Sequence, residues 1–252
     1  MSARITWVGH STVLIHLDGV RLLTDPVLRA RLTHLRRVAP VDQSALRGVD
    51  AILVSHVHYD HLDLPSLDRL GRSVPVLVPR GAGPLLRRRR FERVVELDVG
   101  DDGALGEVTV TATHAEHRAD RGPFGAKAAS LGFVVSGSVR AYFAGDTDLF
   151  DGMASLGPLD GALLPIWGWG PVAGEGHLDP RKAAQALTLL RPAVAIPIHW
   201  GTYRPVHYLS PAWLTEPPEQ FRREVAALAP EVELRILPLG GSTDLESTIE
   251  TC

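Results

Sequence analysis

Four residues of the kinds that bind metal ions, His56, His58, Asp60 and His61, fall within six positions as His-x-His-x-Asp-His. They directly follow Ala51 to Ser55, an apolar run of the buried-strand type. If strand geometry persists for one step, His56 and His58 share a face, while Asp60 and His61, past a turn, can face a second centre. Two adjacent metal ions follow from that arrangement. Imidazole nitrogen and carboxylate oxygen suit Zn2+, with Mn2+ or Fe2+ also compatible. The lone cysteine, Cys252, is the last residue of the sequence, so a thiolate-built structural zinc site is not expected.

The chain holds 11 histidines, and several others sit where strands should end. His199 follows the apolar run Ala193 to Ile198, and Asp146, in Gly145-Asp146-Thr147, follows Val139 to Ala144. Both side chains can leave a strand end toward a metal. His114 and His117 lie just beyond the strand expected over Glu107 to Thr113, and either could reach. His177 stands in Gly176-His177-Leu178-Asp179-Pro180, immediately before a helix that should begin near Pro180 with Asp179 as its N-cap. A capped helix start would present that imidazole reproducibly, and its pKa suits a proton donor. Ile166-Trp167-Gly168-Trp169-Gly170-Pro171 is aromatic and glycine-punctuated after another strand, and Trp167 and Trp169 are read as a wall of the substrate pocket.

The elements that must position these groups are legible in outline. Ile5 to Val8, Thr12 to Leu17 and Val20 to Thr24 read as a meander turned by Asp18-Gly19. Strand and helix units follow: Ala51 to Ser55, a helix from about Pro65 to Leu70, Val74 to Val78, a helix over Pro84 to Glu92 and Arg93 to Leu97. Hairpins return at Glu107 to Thr113, Ser130 to Val135 and Val139 to Ala144. The chain then alternates again through Ala162 to Ile166, a helix over Pro180 to Leu190, Ala193 to Ile198, a helix over Glu216 to Leu228 and Glu231 to Leu237. Two mixed sheets packed together with helices outside satisfy that order, within a single domain of 1–252. The arginines Arg87 to Arg90 are read as a solvated helix surface.

Composition narrows the function classes. With 45% apolar and 22% charged residues the chain reads as globular. A net charge of −3 gives no overall positive field for nucleic acid. No asparagine occurs, the residues from Met1 to His10 lack the apolar run of a signal peptide, and no apolar run approaches the ~20 residues of a membrane span. A soluble, cytoplasmic protein acting on a small-molecule substrate is therefore expected, with no nucleic-acid or membrane partner.

The six-residue motif is the signature of the metallo-β-lactamase-fold hydrolases, which the chain resembles over nearly its whole length. Gly9-His10-Ser11, Leu23-Thr24-Asp25-Pro26, Ala115-Glu116-His117, Ala144-Gly145-Asp146-Thr147, Gly176-His177-Leu178-Asp179-Pro180 and Ile198-His199-Trp200-Gly201 resemble most closely the branch containing N-acylphosphatidylethanolamine-hydrolysing phospholipase D and ascorbate-6-phosphate lactonase. The resemblance implies a four-layer αββα sandwich. It implies two Zn2+ per chain, one on His56, His58 and His117, the other on Asp60, His61 and His199, with Asp146 bridging. His117 is preferred because the family places its ligand after a Pro-Ala-x triplet, where His114 takes the proline position and becomes a neighbouring pocket residue. Asp25 and His10 match residues that the family brings beside the metals. Catalytic roles then fall to Asp60 and Asp146, which would orient the attacking water, and to His177, which would assist without binding metal. His16, His34 and His207 match no ligand position. The implied reaction is hydrolysis, with a phosphodiester preferred to a lactone or carboxylic ester. A non-catalytic metal-binding module is disfavoured because all seven ligand positions carry competent side chains, a ribonuclease because no clamp or basic arm is evident, and an oxygen-reducing di-iron protein because His58 is not glutamate.

Overall fold

The structure is a computed structural model that describes residues 2–122, 125–167, 174–205 and 212–248. The chain opens with β1 (Ser2–Gly9), β2 (Thr12–Leu17) and β3 (Val20–Thr24). Asp18 and Gly19 close the β2–β3 turn with φ of 48° and 81°, the paired positive angles that a two-residue hairpin needs to match strand twist. A ribbon of β4 (Arg31–Leu32) and β5 (Leu35–Arg37) follows. The first strand and helix units are β6 (Ala51–Leu53), α1 (Leu64–Leu70), β7 (Val76–Pro79), α2 (Gly83–Arg87) and β8 (Val94–Leu97). Then come β9 (Asp102–Leu105), β10 (Val108–His114), a ribbon of β11 (Ala119–Asp120) and β12 (Lys127–Ala128), β13 (Leu131–Ser136), β14 (Arg140–Phe143) and β15 (Gly161–Pro165). The chain finishes through α3 (Pro180–Leu190), β16 (Val194–Ile198), β17 (Tyr203–Pro205), α4 (Ala212–Leu228), β18 (Glu233–Leu234) and β19 (Ser242–Glu246).

Two seven-stranded sheets result, ordered β19-β1-β2-β3-β6-β7-β8 and β18-β16-β15-β14-β13-β10-β9. Strand alternation explains how they stack, because successive side chains point to opposite faces. Ala51 and Leu53 of β6, Phe133 and Val135 of β13, and Ile196 and Ile198 of β16 meet in one buried cluster between the sheets. Ile52 faces the other way, into a cluster with Leu67 of α1 and Leu86 of α2. Tyr142, Ala162 and Leu164 face outward from the second sheet onto Ala183 and Leu187 of α3 and Phe221 and Val225 of α4. The layers are therefore helix, sheet, sheet and helix, the αββα sandwich expected.

Differences in detail have local causes. The helix expected over Pro84 to Glu92 stops at Arg87. Arg90 turns to a φ of 63° and the Phe91 N–H closes on the Leu86 carbonyl, bringing Phe91 into the core. The arginine run is thus mostly turn, with Arg87 paired to Glu96 and Arg89 to Asp68. α4 starts at Ala212, ahead of Pro217 and Pro218, because burial of Phe221 and Val225 against α3 offsets the missing N–H groups. The closing strand shrinks to Glu233–Leu234. β19 carries no sequence signal: it pairs antiparallel with β1, but only Leu245 of its five residues is buried, so it lacks the apolar run of a core strand.

Candidate metal centre

Strand direction gathers the site. β10 is antiparallel to β13, β13 to β14, and β14, β15 and β16 run parallel, so the C-terminal ends of β10, β14 and β16 line one sheet edge. His117, Asp146 and His199 follow those three ends. The loop after β6 brings His56, His58, Asp60 and His61 from the first sheet to the same place. Gly145, at a φ of 61°, is required here. A Cβ on it would lie 2.7 Å from the Ser55 Cβ, so only glycine lets Asp146 approach this loop.

Among the described residues the donor atoms fall into four overlapping groups, two of which hold the expected ligand sets, the others being Asp25, His56 and His61, and His117, Asp146 and His177. In the first ligand set, His58 Nδ1 lies 3.1 Å from His56 Nε2 and 3.2 Å from His117 Nε2. In the second, Asp60, His61 and His199 converge together with His10. Asp146 stands between them: its Oδ2 is 4.0 Å from His56 Nε2 and 3.2 Å from His61 Nε2, and its Oδ1 is 3.3 Å from His199 Nε2.

The outer hydrogen bonds fix which way the imidazoles present their lone pairs. His61 Nδ1 donates to Asp25 Oδ2 at 2.7 Å, His117 Nδ1 to the Gly176 carbonyl at 2.8 Å, and His199 Nδ1 to the Trp167 carbonyl at 2.6 Å. Ser55 Oγ gives its only proton to Asp25 Oδ2 at 2.6 Å, so at 2.9 Å it can only accept from His56 Nδ1. Four rings are thereby held with Nδ1 protonated and the Nε2 lone pair turned inward, the orientation that ligating histidines need. His61 Nε2 and Asp146 Oδ1 are buried there without a hydrogen bond. A nest of inward lone pairs and buried carboxylate oxygens is costly by itself and is satisfied by divalent cations, so the residues fit a metal centre.

Electrostatics hold three of the ligand rings neutral, while His61 favours a second proton that a bound metal would displace. Burial pushes His56 well below its ordinary pKa, lowers His58, and takes His117 to about 4 and His10 to about 3. These rings are neutral, as ligands must be. Burial acts against the proton on His61, but Asp146, Asp60 and Asp25 outweigh it and raise that pKa. Burial would raise Asp60 and Asp146; the facing histidines, His61 first for Asp60 and His199 first for Asp146, instead hold both well below the carboxylate range.

Around this centre, Asp25 is fully buried and accepts from the Ser55 N–H and Oγ and from His61. His10, buried in a loop at a φ of 54°, lies 3.3 Å from Asp60 Oδ2 through its Nε2. His177 sits at the rim with Nε2 3.5 Å from Asp146 Oδ2; burial opposes its proton, but Asp146 outweighs burial and raises the pKa. Asp179 caps α3 through the Lys182 N–H. Trp167 is buried and contributes its carbonyl. Trp169 and His207 lie outside the described residues. The expectation for His114 is corrected: the residue is not brought to the centre. It ends β10 with its side chain half exposed, 3.2 Å from Glu116 and against the Phe150 ring, because the chain needs three further residues to turn back toward the sheet edge. His16 and His34 are exposed elsewhere. Ser55 emerges only from the fold, since a serine following a strand carries no sequence signal that it links a carboxylate to a ligand.

Among the described residues no helix is long and apolar enough to cross a membrane. A family model for the beta-lactamase superfamily domain matches residues 20–200. A UPF0173 metal-dependent hydrolase of Methanopyrus kandleri is 32% identical, the alignment covering 95% of this chain and 98% of that protein. An N-acyl-phosphatidylethanolamine-hydrolyzing phospholipase D of Caenorhabditis elegans is 32% identical over 79% of this chain and 64% of its own. The fold is shared with the metallo-beta-lactamase fold protein YhfI of Bacillus subtilis, at a TM-score of 0.71, 16% identity and coverage of 97% and 100%. With the ligand-competent cluster, two-sheet sandwich and matched sequence together, the chain belongs to the beta-lactamase superfamily as a metal-dependent hydrolase.

Proposed function

We propose that the chain is a dinuclear zinc hydrolase whose preferred substrates are phosphodiesters. The observation that carries this reading is the position of Asp146 between the two donor groups, with one oxygen near His56 and His61 and the other near His199. His56, His58 and His117 would hold one ion, Asp60, His61 and His199 the second, and Asp146 both. Two ions so held would supply Lewis acidity that lowers the pKa of water and balances charge on the reacting oxygens.

The side chains do the remaining work. Asp60 and Asp146, kept ionised, accept hydrogen bonds from the attacking water and aim it. His10 and Asp25 hold Asp60 and His61 in place from behind. His177, the more exposed imidazole beside Asp146, gives a proton to the leaving oxygen. The phosphodiester preference is supported by the phospholipase D relative and by the suitability of paired ions for an in-line displacement at phosphorus.

The test is metal analysis of the purified protein with turnover of bis(p-nitrophenyl) phosphate against a panel of lactones and carboxylic esters. Two zinc ions per chain and phosphodiester cleavage lost to chelator and restored by zinc are the expected results. Turnover of lactones or esters alone would overturn the substrate class, and one metal per chain would overturn the dinuclear reading.

A further inference from the structure

Two residues on different elements, Asp148 and Lys182, tie together the three segments that carry His117, Asp146 and His177. Lys182 Nζ donates to both carboxylate oxygens of Asp148, at 2.7 and 2.8 Å. Asp148 Oδ2 accepts from the Gly176 N–H at 3.3 Å, and the Asp148 N–H donates to the Glu116 carbonyl at 2.9 Å. Gly176 in turn accepts from His117 Nδ1 and precedes His177. Gly176 has a φ of 78° and a Cβ on it would come 3.1 Å from His117 Nδ1, so this backbone lies close against the ring. The Lys182 N–H is also the one that Asp179 caps, so the ammonium is anchored to the first turn of α3. Lys182 is one of only two lysines in a chain with 24 arginines. The compact ammonium, with three rotatable donors, reaches both Asp148 oxygens and, at 3.5 Å, the His177 carbonyl, whereas a guanidinium would pair with the carboxylate through a rigid planar fork and point away from that carbonyl.

Resting on the hydrolase reading above, we propose that Lys182 and Asp148 are positioning residues that clasp Gly176 and so set His177 against Asp146 as the proton donor to the leaving group. Lys182 fixes the Asp148 carboxylate, and Asp148 fixes the Gly176 N–H. His177 is the next residue, and freeing the Gly176 N–H would let its imidazole swing away from Asp146 while the Gly176 carbonyl stays on His117. Partly exposed ion pairs contribute little to stability, so loss of this one leaves the fold intact and misplaces the imidazole.

The experiment is a double-mutant cycle on the full-length, metal-loaded protein. Lys182→Met should lower kcat by about 10- to 100-fold, as loss of an outer-shell partner does. KM and metal content should change little, and the loss should be greater for a phenyl than for a p-nitrophenyl leaving group. In a His177→Ala background the same substitution should cost less than about twofold, because partners that act as one unit are non-additive. Lys182→Arg should recover only part of the activity, and Asp148→Asn should reproduce Lys182→Met. An independent readout is the pair of imidazole 15N shifts of His177, which should move in Lys182→Met while the unfolding midpoint stays within a few degrees. Equal losses in both backgrounds, loss of metal, or unmoved His177 shifts would overturn the clasp. If wild-type protein cleaves no phosphodiester, the substrate reading fails, while the His177 shifts still decide whether the clasp exists.

Discussion

Replacing Asp25 by asparagine changes no volume and touches no ligand atom, yet it should weaken metal binding in both groups. The carboxylate takes three donors: the Ser55 N–H on Oδ1 at 2.7 Å, and Ser55 Oγ and His61 Nδ1 on Oδ2 at 2.6 and 2.7 Å. An amide can place its oxygen on only one side. If the oxygen stays toward Ser55 Oγ and His61, the NH2 faces the Ser55 N–H, donor against donor. If it flips, the NH2 meets His61 Nδ1, and His61 must move its proton to Nε2, where a metal would bind. The metal-free protein can take the flipped form, so binding a metal forces the amide back to the donor-against-donor arrangement, a penalty of about 1–3 kcal/mol. At about 1.4 kcal/mol per factor of ten, that is roughly 5- to 150-fold in zinc affinity. The range brackets the ~10–100-fold usual for residues behind metal ligands. Competition against a chelating dye measures it, with thermal melting of the metal-free protein as the check on folding. Ser55→Ala, which takes the acceptor from His56 Nδ1 and one of the three donors from Asp25, leaves His61 Nδ1 on its carboxylate and should cost less. Zinc affinity within twofold of wild type in a folded Asp25→Asn protein would refute the lone-pair argument.

Three further outcomes follow from the geometry. His117→Ala should lose one metal and turnover together, whereas His114→Ala should keep both metals and most activity; metal analysis of the two variants decides, and the opposite pattern would exchange their roles. His177→Ala should retain both metals and lose about 10²- to 10⁴-fold in turnover of substrates with poor leaving groups; undiminished turnover would remove it from the chemistry. In the metal-free protein, His10 keeps a pKa of about 3 and His117 of about 4, against 6.5 for the free side chain. The unfolded chain then binds protons that the folded one refuses, so stability is full above pH 6.5 and falls as pH drops toward 4. His56 and His58 titrate in the same sense, while His61 and His177, with raised pKa values, oppose it. Denaturant midpoints between pH 7 and 4 test this, and a flat or rising stability on acidification would contradict it.

Local sequence alone determined a good part of this molecule. The His-x-His-x-Asp-His run, the buried strands before it and before Asp146 and His199, and the α3 start at Asp179 and Pro180 are all written within a few consecutive residues. Such patterns depend only on side-chain periodicity and on caps that bond to their own chain neighbours. The edge strand β19 was illegible because one inward leucine makes no pattern, and the early start of α4 because only packing on α3 offsets its prolines. The choice between His114 and His117 could be drawn from the sequence only by resemblance; their side chains part company because β10 ends facing solvent and the chain then turns. The direction of the lone pairs of His61, His117 and His199 belongs to tertiary structure, whereas His56 leans on its neighbour Ser55. Asp25 is 36 residues from His61, Trp167 is 32 from His199 and Gly176 is 59 from His117. A ring nitrogen's proton goes to whatever acceptor the fold places beside it, and no local pattern encodes a partner that far along the chain.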